Sequence, residues 1–145
     1  MQAYTLFITD HMDSIMRILV CGGRDFRDAA LVQRSLQRLQ RHNLLSLLIH
    51  GDASGADQLA SQWAYQVGID QVSYPANWTA HGRAAGPMRN RRMLQHGRPQ
   101  AILAFAGGRG TSDMIRIAEQ AALPVWQPCE EEDIPWLEPN AMMAR

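Results

Sequence analysis

Short apolar runs alternate with amphipathic stretches along this chain, and the alternation predicts the order of its elements. "RILVCGG" is an apolar run stopped by two glycines, the profile of a buried parallel strand. Asp28 then caps a predicted helix in which Val32, Leu36 and Leu39 recur at helical spacing. "LLSLLIHGD" predicts a second strand, ended by Gly51. Ala56, Leu59, Ala60, Trp63, Ala64 and Val67 follow the i, i+3, i+4, i+7 pattern of a second helix, with Gly68 suited to its C-terminus. "DQVSYPA" offers a short third strand, followed by a loop. Pro87 is placed in the first turn of a further helix that runs through Met93 and Leu94 and stops by Gly97. "QAILAFAGG" reads as a fourth strand, and Thr111 or Ser112 as the cap of a last main helix with a small apolar face at Ala118, Ala121 and Ala122. "LPVW" reads as a fifth strand, and proline and acid dominate from Gln127 onward.

Strands that alternate with helices predict an α/β fold: a three-layer sandwich with a mostly parallel sheet of about five strands. Such sheets bind ligands beyond the carboxyl ends of their strands. The polar, glycine-bearing stretches "CGGRD", "HGDASGAD" and "AGGRGTSD" each follow a strand and precede a helix, and "HGRAAGPMRNRR" holds the same position after the third strand. Four loops are therefore expected on one rim.

Length bounds this picture, because 145 residues suffice for one α/β domain with a core and not for two. The domain is expected over 16–127, with 1–15 an optional extension and 128–145 an acidic, irregular tail. The opening "MQAYTLFITDHMDSI" has two aspartates and no basic n-region, and no apolar run is long enough to span a bilayer. A cytoplasmic protein with no membrane partner is the expectation. Two cysteines, Cys21 and Cys129, make a poor disulfide framework, and no Cys/His spacing suggests zinc; no metal and no cofactor are expected. Cys21 reads as a small buried residue, and His50 as a packing residue at a strand end.

Charge changes the picture more by its distribution than by its sum. The formal net charge is zero, which disfavours nucleic acid as a partner. Yet every basic residue is arginine, and between Asp70 and Asp113 there is no acid, while Arg83, Arg89, Arg91, Arg92, Arg98 and Arg109 all fall there. A solvated basic face is one reading; a compact anion site is the other, since guanidinium forks match phosphate oxygens. In "GGRGTSD", Gly107, Gly108 and Gly110 suit a backbone nest at a helix N-terminus, with the Thr111 hydroxyl available to a phosphate oxygen. A plain strand-to-helix turn is the alternative, and neither a Walker lysine nor GxGxxG is present. Arg24 and Asp25 either serve a phosphate or pair with each other. Asp57 either caps a helix N-terminus or accepts from ribose hydroxyls, and Trp78 either stacks on a base or anchors its loop.

Taken in order, "RILVCGGRDF", "HGDASGAD", "PANWTAHGRAAGPMRNRRML" and "GGRGTSDM" resemble the YspA-type (cpYpsA-related) branch of the SLOG superfamily, over roughly Met16 to Trp126. That superfamily is named for DNA-processing proteins and the "lonely guy" enzymes. The resemblance implies a Rossmann-like fold and a site for a nucleotide or a nucleotide derivative such as an ADP-ribose-type molecule. It assigns the ligand to Gly22, Gly23, Arg24 and Asp25 in the first loop and to Gly51, Gly55, Ala56 and Asp57 in the second. Gly86, Pro87, Arg89 and Asn90 match the third, and Gly107, Gly108, Gly110 and Thr111 the phosphate loop. A homodimer is common among such relatives, and Trp136 is a candidate apolar contact for one. The chain departs from the "lonely guy" enzymes where their PGGxGTxxE motif supplies a catalytic glutamate, because Met114 stands there. Binding or sensing without turnover is thus the first expectation. The alternative is a hydrolase of the N-glycosidic bond that uses Asp25, Asp57 or Asp113.

Overall fold

A computed structural model describes residues 16–42, 44–129 and 134–136. The expected extension 1–15 and most of the expected tail lie outside these residues. Five strands form one sheet in the order β3-β2-β1-β4-β5, with every pairing parallel. They are β1 (Arg17–Cys21), β2 (Leu47–His50), β3 (Asp70–Ser73), β4 (Ala101–Ala104) and β5 (Val125–Trp126). The helices are α1 (Ala29–Arg41), α2 (Ala56–Val67), a one-turn α3 (Trp78–His81), α4 (Ala85–Arg92) and α5 (Arg109–Gln120). The strand order reverses at β1, so the loops after β1 and β4 diverge to opposite faces and open a crevice between them.

Alternation along each strand builds two cores. Ile18, Val20, Leu48 and Leu103 face α1 and α2, where they meet Val32, Leu36, Leu39, Ala60 and Trp63. Leu19, Cys21, Ile49, Ile102 and Ala104 face the other side, where Met93, Met114 and Ala118 cover them. A strand buried on both faces has to be apolar throughout, as "ILVC" and "AILA" are. Each fully buried Leu or Ile contributes about 1.5–3 kcal/mol relative to exposure. Ile134 is buried in the first core, and Trp136 packs edge-to-face on Trp126 with ring centroids 6.3 Å apart. Trp136 is therefore partly covered within the chain.

The ends of the helices follow local chemistry. Asp28 caps α1 by accepting the Leu31 N–H at 3.0 Å, as expected. Gly68 ends α2 in the left-handed conformation, φ +83°, with its N–H on Ala64 O. Three details differ from expectation. The stretch expected as loop after β3 is helical from Trp78, because the Asn77 side chain accepts the Ala80 N–H at 3.1 Å and starts a turn too short to show periodicity. α5 starts at Arg109 with Gly108 as its cap, so Thr111 lies inside the first turn rather than at the cap. Its buried face is Thr111, Met114 and Ala118, while Ala121 and Ala122 lie past its end and are exposed.

Candidate functional site

The four loops meet at the carboxyl ends of the strands, and most of their glycines are there to let backbone touch backbone. A Cβ on Gly22 would meet those of Ala56 and Phe105, and one on Gly23 would press on Ala106 O. Gly23 donates its N–H to Ala106 O at 2.8 Å and accepts the Ala56 N–H at 3.2 Å, which locks the loops after β1, β2 and β4 together. Gly107 is equally confined, with the Thr111 hydroxyl and the Gly23 N–H where its Cβ would be. Gly22, Gly23, Gly55, Ala56 and Gly107 thus form the packed floor of the rim. Gly108 and Gly110 are different, since no atom lies within 4 Å of the place a Cβ would occupy.

Gly108 caps α5 without any side-chain hydrogen bond. The first N–H groups of that helix have no intrahelical acceptor, and the positive end of the helix dipole coincides with them. Open space, unspent donors and partial positive charge occur together here.

On the same rim lies a cleft of about 290 Å³ lined by Arg24, Gly51, Asp52, Ala53, Ser54, Pro75, Ala76, Trp78 and Arg89. The residues next to two of these, Gly23 and Asn90, bond to Ala106 in the loop that leads into α5 and to Gly110 in its first turn. Arg24 is exposed, and its guanidinium carbon sits 4.6 Å from the centre of the Trp78 ring. Arg89 is half-buried. It donates from Nη1 to Gly51 O at 2.6 Å and from Nε to Asn90 Oδ1 at 3.0 Å. Burial lowers the pKa of its guanidinium from the usual value; Asp57 opposes this, and the Arg24 and Arg92 charges reinforce it. The group stays charged near neutrality, so two guanidinium groups, Arg24 and Arg89, line the cleft with one carboxylate, Asp52.

Other residues singled out in the sequence make hydrogen bonds within the chain. Asp57 is buried, and its Oδ2 accepts from Gly51 N at 3.0 Å and Ala53 N at 3.2 Å, which shapes the loop after β2. Burial raises its carboxyl above the ordinary carboxylate range, against the opposing pull of those two N–H donors and Arg89. Asn90 is buried as well; Nδ2 donates to Gly110 O at 3.1 Å and to Asp113 Oδ2 at 3.0 Å. It ties α4 to the start of α5 and is fully engaged within the chain. Asp113 is held by Asn90 and by Arg116 at 2.7 Å. Met114 is completely buried against the sheet. Asp25 is exposed at the rim, and Gly86 is buried beside the edge of Trp78.

His50 is buried. Its Nδ1 accepts the Asp52 N–H, so the neutral ring carries its proton on Nε2, 3.0 Å from Gln71 Oε1. Burial pushes the Cys21 thiol far up, which leaves no useful thiolate for nucleophilic work. Among the described residues no cluster of three or more His, Cys, Asp or Glu is placed to hold a metal ion. No helix there is long and apolar enough to cross a membrane. Trp78, expected in a loop, lines the cleft from a one-turn helix whose sequence signal is the Asn77 cap alone.

A doubly wound, all-parallel sheet with its glycine loops gathered at the switch point defines a Rossmann-like domain. Residues 16–81 match the family model described as "YspA, cpYpsA-related SLOG family". The chain is 36% identical over 117 residues to Gene 61 protein of Mycobacterium phage D29, which covers 75% of this chain and 93% of that protein. The chain belongs to the YspA, cpYpsA-related SLOG family. It also resembles the X-ray structure of DNA processing protein A (DprA) from Streptococcus pneumoniae, with a TM-score of 0.64, 19% identity and coverage of 83% of this chain. At that identity the likeness is one of fold, and the chain spans about half the length (53%) of that structure's chain.

Proposed function

We propose that the rim binds a nucleotide or nucleotide derivative, ADP-ribose-like or a nucleoside phosphate, as a binding or sensing module. One observation carries the reading: Gly108 and Gly110 face open space at a helix N-terminus that has no side-chain cap, on the same rim as a cleft that holds Arg24 and Arg89. Glycines with no packing duty leave room for an anion to reach the N–H groups directly, and family membership supports a nucleotide-related ligand.

Hydrolysis of the glycosidic bond fits less well. A carboxylate must stand at the sugar to stabilise developing positive charge or to activate water. Asp57 is buried under its own loop and Asp113 is committed to Asn90 and Arg116. The position that holds glutamate in the "lonely guy" enzymes carries Met114, which is sealed in the core. A nucleic-acid strand is the competing ligand, because the solved structure of similar fold is a DNA processing protein. Zero net charge and a cleft of mononucleotide size favour the small molecule.

A thermal-shift panel of AMP, ADP-ribose, cyclic ADP-ribose, NAD and nucleoside diphosphates tests the reading. At least one member raises the melting temperature, by a free energy of about 2.7 kcal/mol at a hundredfold excess over Kd, and is recovered intact. Arg24→Ala removes one exposed, charge-assisted contact worth about 1.5–3 kcal/mol and weakens that ligand about tenfold or more, without lowering the melting temperature of the free protein. A panel without any shift contradicts the reading. Rapid base release from AMP that is lost in Asp113→Asn would move the protein to the hydrolase class.

A further inference from the structure

We infer that Trp78 is the platform for the base of that ligand, with Arg24 standing in for the base until the ligand arrives. The inference rests on the nucleotide reading above and adds which side chain would hold the base, and where in the cleft.

The tryptophans of the chain fall into two kinds. Trp63 and Trp126 are buried and Trp136 is partly buried, whereas Trp78 is 45% exposed. An exposed indole is costly to leave in water and is normally turned onto its own domain. Trp78 is instead fixed at the wall of the cleft. It opens α3, whose first turn is capped by Asn77, and its ring edge rests against α4 where residue 86 is glycine. A side chain at 86 would come within 3.3 Å of the ring, so glycine there permits this ring position.

What covers the ring face is the Arg24 guanidinium, at 4.6 Å from the centroid. A planar cation on an indole occupies the space that a stacked base would take, at similar separation. The contact is weak at an exposed site, and stacking of a nucleobase on an aromatic side chain is stronger. Arg24 also has a better use once a phosphate is bound, because a charge-assisted hydrogen bond exceeds an exposed cation–π contact. The exchange is therefore favourable on both sides: the base takes the ring and the guanidinium takes the phosphate. Pro75 and Ala76 supply apolar wall in the same cleft. The volume, about 290 Å³, lies at the low end of small-molecule clefts, which run from roughly 300 to 1,000 Å³, and suits a single base-bearing unit.

Isothermal titration with AMP and with ribose 5-phosphate, together with tryptophan fluorescence, tests the assignment. In the wild-type protein AMP binds about tenfold tighter than ribose 5-phosphate and changes the emission of the exposed tryptophan. Trp78→Leu brings the two affinities within about twofold by weakening AMP alone, and Trp78→Phe, which keeps a ring, restores most of the preference. Arg24→Ala weakens both ligands together and leaves a preference for AMP. Circular dichroism confirms that each variant is folded, and the Phe variant keeps the test valid if the Leu variant is not. Equal affinity of the wild-type protein for the two ligands, or a preference that survives Trp78→Leu, overturns the platform while the phosphate reading stands. Binding of neither ligand overturns both.

Discussion

Replacing Gly55 by alanine destabilises the domain by about 3–5 kcal/mol, enough to lower the melting temperature by roughly 10 °C or more. Gly55 has φ +80° and ψ −125°, a region that residues with a Cβ avoid at a cost of about 1–3 kcal/mol. Its Cβ would also overlap the carbonyl oxygens of Gly23 and Arg24, and overpacking of this kind adds about 1–3 kcal/mol. Backbone cannot move aside as the end of a long side chain can. The same loop contact aligns the rim, so the damage spreads from α2 to the loop after β1. Gly108→Ala is the matched control. Its Cβ meets nothing, so the backbone clash of Gly55→Ala is absent and its melting temperature in the absence of ligand falls by clearly less than that of Gly55→Ala. Thermal melts of the two variants beside the wild-type protein separate a glycine kept for the fold from one kept for a ligand. Equal losses would mean that the loop around Gly108 is packed rather than open.

Asp57→Ala costs about 2–4 kcal/mol, because the N–H groups of Gly51 and Ala53 lose their shared acceptor and the Arg89 charge loses its counter-charge. Asp57→Asn keeps an acceptor for both N–H groups and loses less. The pH dependence of the gap between wild type and Asp57→Asn reports the charge itself. Burial raises the Asp57 pKa in the folded protein, so the folded state holds the proton more tightly than the unfolded chain does. That contribution is complete below the unfolded value, near 3.9, and is lost as pH rises through the raised folded value. Lowering the pH from neutrality towards 4 therefore shifts the gap in favour of the wild type. Chemical denaturation at several pH values measures it; a gap that shifts the other way would show that the N–H donors of Ala53 and Gly51, with the His50 and Arg89 charges, outweigh burial.

The sheet and its order of elements were legible because buried parallel strands are short and apolar on both faces, and nothing else in a chain of this size looks like "RILVC" or "QAILA". Asp28 and Gly68 were legible for the same reason: each acts within one turn of itself. What the sequence hid was long-range. Nothing local distinguishes Gly55, where a Cβ would overlap Gly23 and Arg24, from Gly108, where a Cβ would meet nothing. Nor does the motif "RNRR" tell that Arg89 reaches Gly51, 38 positions away, while Asn90 turns inward to Gly110, 20 positions away. Asn90, expected at the ligand, also braces α4 against the start of α5. A helix of one turn, such as α3, leaves no periodicity at all; only its Asn77 cap was there to be read, and the exposure of Trp78 follows from it.

The central claim is that this rim holds a phosphate, and calorimetric comparison of adenosine with AMP tests it most directly. The two ligands share base and sugar and differ by one phosphate. The account predicts that AMP binds about tenfold or more tightly than adenosine, that Arg24→Ala removes much of the difference, and that the advantage falls as salt screens the guanidinium groups. Equal affinity for adenosine and AMP in the wild-type protein would contradict it.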